Sequence, residues 1–202
     1  MTSGASRMVK NMRKFLVVSA LCCAVAILFS SSFRAASVAG SLPEHRLLLF
    51  HTHTGERIDI VYRRGNDYIL DALAKLDYFL RDHRTCDVHH FDPRLYDVLE
   101  QLTLAVGHPA GEIDVICGYR TPWSNNFLRE HSAGVAEHSL HMQAEAIDIR
   151  MPGVDTSRLR AAALSLHRGG VGFYPHSNFV HVDVGRVRQW CFECTAAQIF
   201  PN

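Results

Sequence analysis

Three side chains in the second half of the chain carry the clearest chemical pattern. His141 precedes Asp148 in the run Ser139-Leu140-His141-Met142-Gln143-Ala144-Glu145-Ala146-Ile147-Asp148, and His181 follows within Val180-His181-Val182-Asp183-Val184. Two imidazole nitrogens and one carboxylate oxygen, with a fourth position left to water, are the layout of a catalytic zinc site. Zinc so held brings the pKa of its water toward ~7 and polarises a carbonyl. Spacing alone also permits a plainer reading, in which a His and an Asp beside strands are hydrogen-bonded structural residues. No H-E-x-x-H occurs, so the helical zinc motif is not the source of this pattern.

Elements that can position these residues are legible around them. Ile147 and Ile149 share one face of a strand and Asp148 the other. Val180, Val182 and Val184 likewise oppose His181 and Asp183, as a period of two requires. Ile113, Val115 and Cys117 mark a third core strand. Arg46 to Phe50 and Arg57 to Tyr62 read as a hairpin across His53-Thr54-Gly55-Glu56. Ile69, Leu73, Leu76 and Leu80 recur at helical spacing. A second helix begins at Pro93 behind an Asp92 cap and ends at Gly107, and a third runs from Asp155 to Arg168 before Gly169-Gly170. The expected fold is α+β: one domain, residues 40–202, with a small antiparallel sheet carrying the site and helices packed on it.

Ser139-x-His141 with Ala146-x-Asp148 resembles the S-x-H-x-x-G-x-A-x-D motif of the D-Ala-D-Ala group of zinc metallopeptidases, related in fold to lysostaphin and the hedgehog domain. Gly118-Tyr119-Arg120-Thr121-Pro122 resembles the G-Y-R-[ST]-P segment of that group. Asn125 to Arg129, Gly170 to Pro175 and Ser177 to Asp183 are similar, more narrowly, to the murein endopeptidase K branch. So are His53 to Glu56 and Leu80 to Thr85. The likeness covers roughly residues 45–190. It implies His141, Asp148 and His181 as zinc ligands and Arg120 as the group that stabilises a developing oxyanion. Two positions depart from the pattern. Asn178 stands where many relatives place an acidic base, which leaves Asp183 as the candidate, either as base or as the partner that orients His181; His138 is a further proton shuttle candidate. Ala144 stands where relatives have Gly.

Composition fits an exported globular protein. Residues 1–39 hold five basic residues and no acid, leaving 16 basic against 20 acidic in the rest. That balance excludes a nucleic-acid partner, which needs a basic stripe. Arg13-Lys14, the apolar run Phe15 to Phe29 and small residues up to Ala39 have the three-part layout of a secretory signal with a cut before Gly40. The apolar run is shorter than the roughly 20 residues of a comfortable membrane span; an uncleaved inner-membrane anchor is the alternative. The mature chain, with no stable membrane span, is expected in the periplasm. Its four cysteines, Cys86, Cys117, Cys191 and Cys194, are free to pair there, and the C-x-x-C of Cys191 and Cys194 is the local choice. Cys117 reads as a buried small hydrophobe, and His51 and His53 as exposed hairpin residues.

The expected activity is zinc-dependent hydrolysis of peptidoglycan peptide cross-links, with stem peptides and cross-bridges as partners. Two rivals stand beside it: a carboxypeptidase that trims terminal D-Ala, and a non-catalytic wall-binding module on the same scaffold. Asn178 favours the latter; the three ligand types and Arg120 oppose it.

Overall fold

The computed structural model describes residues 42–195 and Gln198. The expected signal, residues 1–39, lies outside them. Eight strands form one mixed sheet in the order β3-β2-β1-β4-β5-β7-β6-β8. They are β1 Glu44–His51, β2 Arg57–Arg64, β3 Asp67–Tyr68, β4 Ile113–Cys117, β5 Ala146–Arg150, β6 Gly170–Tyr174, β7 Phe179–Asp183 and β8 Arg188–Cys191. The helices are α1 Leu70–Phe79, α2 Arg94–Ala105, α3 Pro122–His131 and α4 Thr156–Leu166. The α+β expectation holds, but the sheet is larger than expected and two of its pairings, β1 with β4 and β6 with β8, are parallel.

Apolar alternation sets the sheet's core face. Leu47, Leu49, Ile113, Val115, Ile147, Ile149, Val180 and Val182 are all essentially inaccessible and belong to one cluster with Leu95, Leu99 and Leu102 of α2 and Leu159 of α4. Each such side chain contributes about 1.5–3 kcal/mol through burial. The helix ends follow local chemistry. Asp155 caps α4 by accepting from the Ser157 and Arg158 amides. At α2 the cap is Pro93 instead of Asp92, whose carboxylate accepts from the Arg94 amide just inside the helix.

Strands β6 and β8 were not foreseen. In β6, Gly170 and Gly172 hide the usual β signal, yet both are needed for close approach. A Cβ on Gly172 would lie 2.5 Å from the Trp190 indole, and one on Gly170 would lie 2.4 Å from Asp183 Oδ2. Contact between strands therefore decides these positions, against propensity. Among the described residues no helix is long and apolar enough to cross a membrane.

Candidate metal centre

The sheet's second face brings the chemistry together through register. Cys117 of β4 is the cross-strand partner of Asp148 of β5, Asp148 of His181 in β7, His181 of Gly172 in β6, and Gly172 of Trp190 in β8. One row across five strands thus holds a thiol, a carboxylate, an imidazole, a gap and an indole. The gap at Gly172 lets Trp190 reach His181, with ring centroids 5.0 Å apart.

His141 joins the row from a 3-10 turn, Leu140–Gln143, capped by Ser139. The turn closes on Ala144 in the left-handed conformation, φ 53°. Glycine adopts that backbone without strain, and a Cβ there costs about 1 kcal/mol. This is the physical reason for glycine at this position of the motif, and the alanine chain still makes the turn.

His141 Nε2, His181 Nδ1 and Asp148 Oδ1 converge, with separations of 3.1, 3.2 and 2.9 Å. The outer nitrogens fix the tautomers. His141 Nδ1 donates to the Gly118 carbonyl at 2.7 Å, and His181 Nε2 donates to Asp183 Oδ2 at 3.1 Å. Both inner nitrogens therefore present lone pairs to each other and to a carboxylate oxygen. Three acceptors in mutual contact call for a cation, and their edges come close to the roughly 3.3 Å of a tetrahedron with 2.0–2.1 Å bonds. The donor set fits a divalent metal ion. Outer partners on both imidazoles are the usual companions of metal-binding histidines.

The electrostatics of His141 and Asp148 agree, and those of His181 favour a positive charge beside the two carboxylates. Burial, then the Arg120 charge, pushes the His141 pKa down to about 4, which leaves it a neutral donor. Burial opposes ionisation of Asp148, but His141 and His181 outweigh it and hold the carboxyl well below its usual range. For His181 burial acts downward, while Asp148 and Asp183 prevail and raise it. Cys117 Sγ lies within 4.8 Å of the His141 and Asp148 ligand atoms, so it is a neighbour of the centre as well as a buried hydrophobe. Burial pushes its thiol up to about 11, against the Arg120 charge.

Arg120 is buried beside the triad. Its Nη2 stands 3.5 Å from Asp148 Oδ2, Nη1 donates to Asn125 Oδ1 at 3.3 Å, and Nε has no hydrogen-bond partner. Asp183 is more fully engaged. Besides His181 it accepts from the Gly170 amide at 2.8 Å, the Gly185 amide at 2.9 Å and Arg188 at 2.8 and 3.1 Å. Burial works against its charge, but these donors depress its pKa strongly. Asn178 faces away: its side chain bonds Thr156, while Ser177, Phe179 and His181 line the cleft. His138 is exposed at the cleft wall.

The cleft, about 640 Å³, extends to both sides of the triad. Toward β1 and β4 it is lined by His53, His83, Arg84 and Ile116, and toward β6 and β8 by Tyr174 and Trp190. Tyr119 is buried in the core and Trp123 is exposed on α3. His51, expected on the surface, is completely buried, because the β1–β2 turn folds back so that its Nδ1 accepts from the His53 and Thr54 amides. Cys191 and Cys194 form a disulfide, as the C-x-x-C spacing implied, and Cys86 and Cys117 are free.

A converging pair of imidazoles with a carboxylate, an arginine at its edge and a cleft that extends to both sides is the equipment of a metallopeptidase. The family model of the peptidoglycan L,D-endopeptidase MepK matches residues 41–190. The chain belongs to that family and is a peptidase. It is 40% identical over 182 residues to the probable peptidoglycan L,D-endopeptidase MepK of Haemophilus influenzae, covering 90% of this chain and 96% of that one. It is 41% identical over 181 residues to the peptidoglycan L,D-endopeptidase MepK of Escherichia coli K12, covering 89% and 97%. No solved structure matches the chain.

Proposed function

We propose that this chain is an exported murein endopeptidase that hydrolyses peptide cross-links of peptidoglycan with a zinc ion held by His141, Asp148 and His181. The triangle of three lone-pair donors, each backed by its own outer partner or strand register, is the observation that carries this reading. Zinc bound there supplies Lewis acidity to the scissile carbonyl and an acidified water as nucleophile. Arg120 holds its guanidinium over the Asp148 side of the centre, where its donors meet the charge that develops on the carbonyl oxygen. The cleft extends to both sides of the triad, with room for peptide before and after the cut bond, and the family's named relatives are endopeptidases, which favours that activity over a carboxypeptidase. Peptidoglycan lies outside the cytoplasm, so residues 1–39 serve as the export signal.

Asp183 acts as the partner that orients His181. Its carboxylate does not line the cleft, and a group held so firmly ionised is a poor proton acceptor near neutral pH. Asp183→Asn is expected to weaken zinc binding and turnover together, by roughly 10–100-fold. Zinc titration beside steady-state rates checks this; full zinc content with collapsed turnover would make Asp183 the base instead.

Digesting purified sacculi with residues 40–202 tests the function directly. Cross-linked muropeptides should be converted to uncross-linked ones, identified by mass. The conversion should stop with a chelator and return with added zinc. Sacculi left intact by zinc-loaded protein would sink the reading.

A further inference from the structure

The cleft is lined by three arginines and one carboxylate, Asp148. Two of the arginines have a partner already. Arg120 faces Asp148, and Arg188 is tied to Asp183. The third, Arg84, has no ion-pair partner among the described residues, and its guanidinium carbon stands 6.0 Å from the Phe127 ring centroid. A cation without a counter-charge in the wall of a catalytic cleft is placed to meet a charge on the substrate.

Its surroundings are built to hold it there. Asp82, completely buried, accepts from the Arg84 amide at 2.9 Å and from the Thr121 amide and hydroxyl at 2.8 and 2.9 Å. The Tyr119 amide donates to the Leu80 carbonyl at 2.8 Å. The loop bearing His83 and Arg84 is thereby locked to the segment bearing Arg120, and so to the metal centre. Beside Arg84, His53 and His83 stack with centroids 4.1 Å apart and planes within 7°. His51 lies edge-on behind His83, with its Nε2 buried and unpartnered. Burial and then the His53 charge push His83 down to about 4, and burial and then the Arg84 charge lower His53. The stack stays neutral at physiological pH, so it adds hydrogen-bonding nitrogens without repelling the guanidinium.

We infer that Arg84, flanked by the stacked His53 and His83, forms a subsite for a free carboxylate of the peptidoglycan stem peptide, on the β1–β4 side of the scissile bond. This assignment rests on the function proposed above. A guanidinium and a carboxylate make two parallel charge-assisted hydrogen bonds, which a carboxamide cannot match. The subsite therefore reads charge, distinguishing acid from amidated stem peptides.

Two cross-linked muropeptides that differ only in carboxylate against carboxamide test it. Wild-type protein should cut the acid form faster. Arg84→Gln should lower kcat/KM on the acid form about 10–100-fold, chiefly through KM, and leave the amidated form within about twofold. Arg84→Lys, which keeps the charge and loses the fork, should fall between. Zinc content should stay at the wild-type level in both variants. An acid-to-amide preference that survives Arg84→Gln, or an equal loss on both substrates, overturns the subsite alone. Zinc-loaded wild-type protein that cuts neither muropeptide overturns the peptidoglycan reading, and the subsite with it.

Discussion

Replacing His141, Asp148 or His181 by Ala should abolish cleavage of cross-linked muropeptides and strip the protein of zinc. Each is one of the three proposed protein donors, and each pair of them lies within 3.2 Å. The loss should exceed the roughly 100-fold ceiling for outer partners, because a donor itself is gone. The fold should survive. Asp148 and His181 project from strands anchored by Ile147, Ile149, Val180 and Val182 on the opposite face, all buried in the core. Metal analysis of purified variants, with circular dichroism to confirm folding, makes the comparison. A folded variant that keeps stoichiometric zinc and full turnover would remove that residue from the centre. Cys117 is the built-in contrast. Its Sγ is near two of the donors, but a thiolate ligand would close the position that a hydrolytic site keeps for water.

Arg120→Ala should act on rate and leave the metal in place. An oxyanion donor is worth about 100-fold or more in kcat, or about 2.7 kcal/mol. Because Arg120 touches Asp148 only through one 3.5 Å approach, zinc affinity should change little, and KM less than kcat. Arg120→Lys should recover only part of the rate, since a single ammonium does not reproduce a planar fork that also reaches Asn125. Equal falls in zinc content and rate would instead make Arg120 a support for the Asp148 ligand.

The two strands that matter most were legible because each advertises a branched apolar face, and the period of two then dictates what the other face shows. Pattern gave each donor its face of a strand, and the structure adds that Asp148 and His181 are direct cross-strand partners. The same logic put Asp183 on the His181 face. What pattern could not say is that Asp183 would be claimed by Gly170, Gly185 and Arg188, because Gly170 arrives from a strand whose glycines disguise it, Gly185 from the turn after β7 and Arg188 from an edge strand with no alternation. The Arg84 wall was hidden for a related reason. It is a loop without periodicity, brought to the centre by one buried carboxylate, Asp82, whose partners Thr121 and Arg84 lie far apart in sequence. Burial of His51 was equally invisible, since a tight turn decided it and no stripe announced it.

The edge strand β8 pairs with β6 alone, through four parallel pairings, and so belongs to the part of a sheet that opens first under thermal motion. It nevertheless supplies Arg188, which grips Asp183, which in turn orients His181. A rim that frays would therefore loosen the metal centre while the interior stayed intact, making catalytic competence more fragile than the fold. The Cys191–Cys194 bridge closes the chain immediately beyond that rim. Its position restrains peeling where the loss would be felt first, and ties the endurance of the catalyst to an oxidising environment.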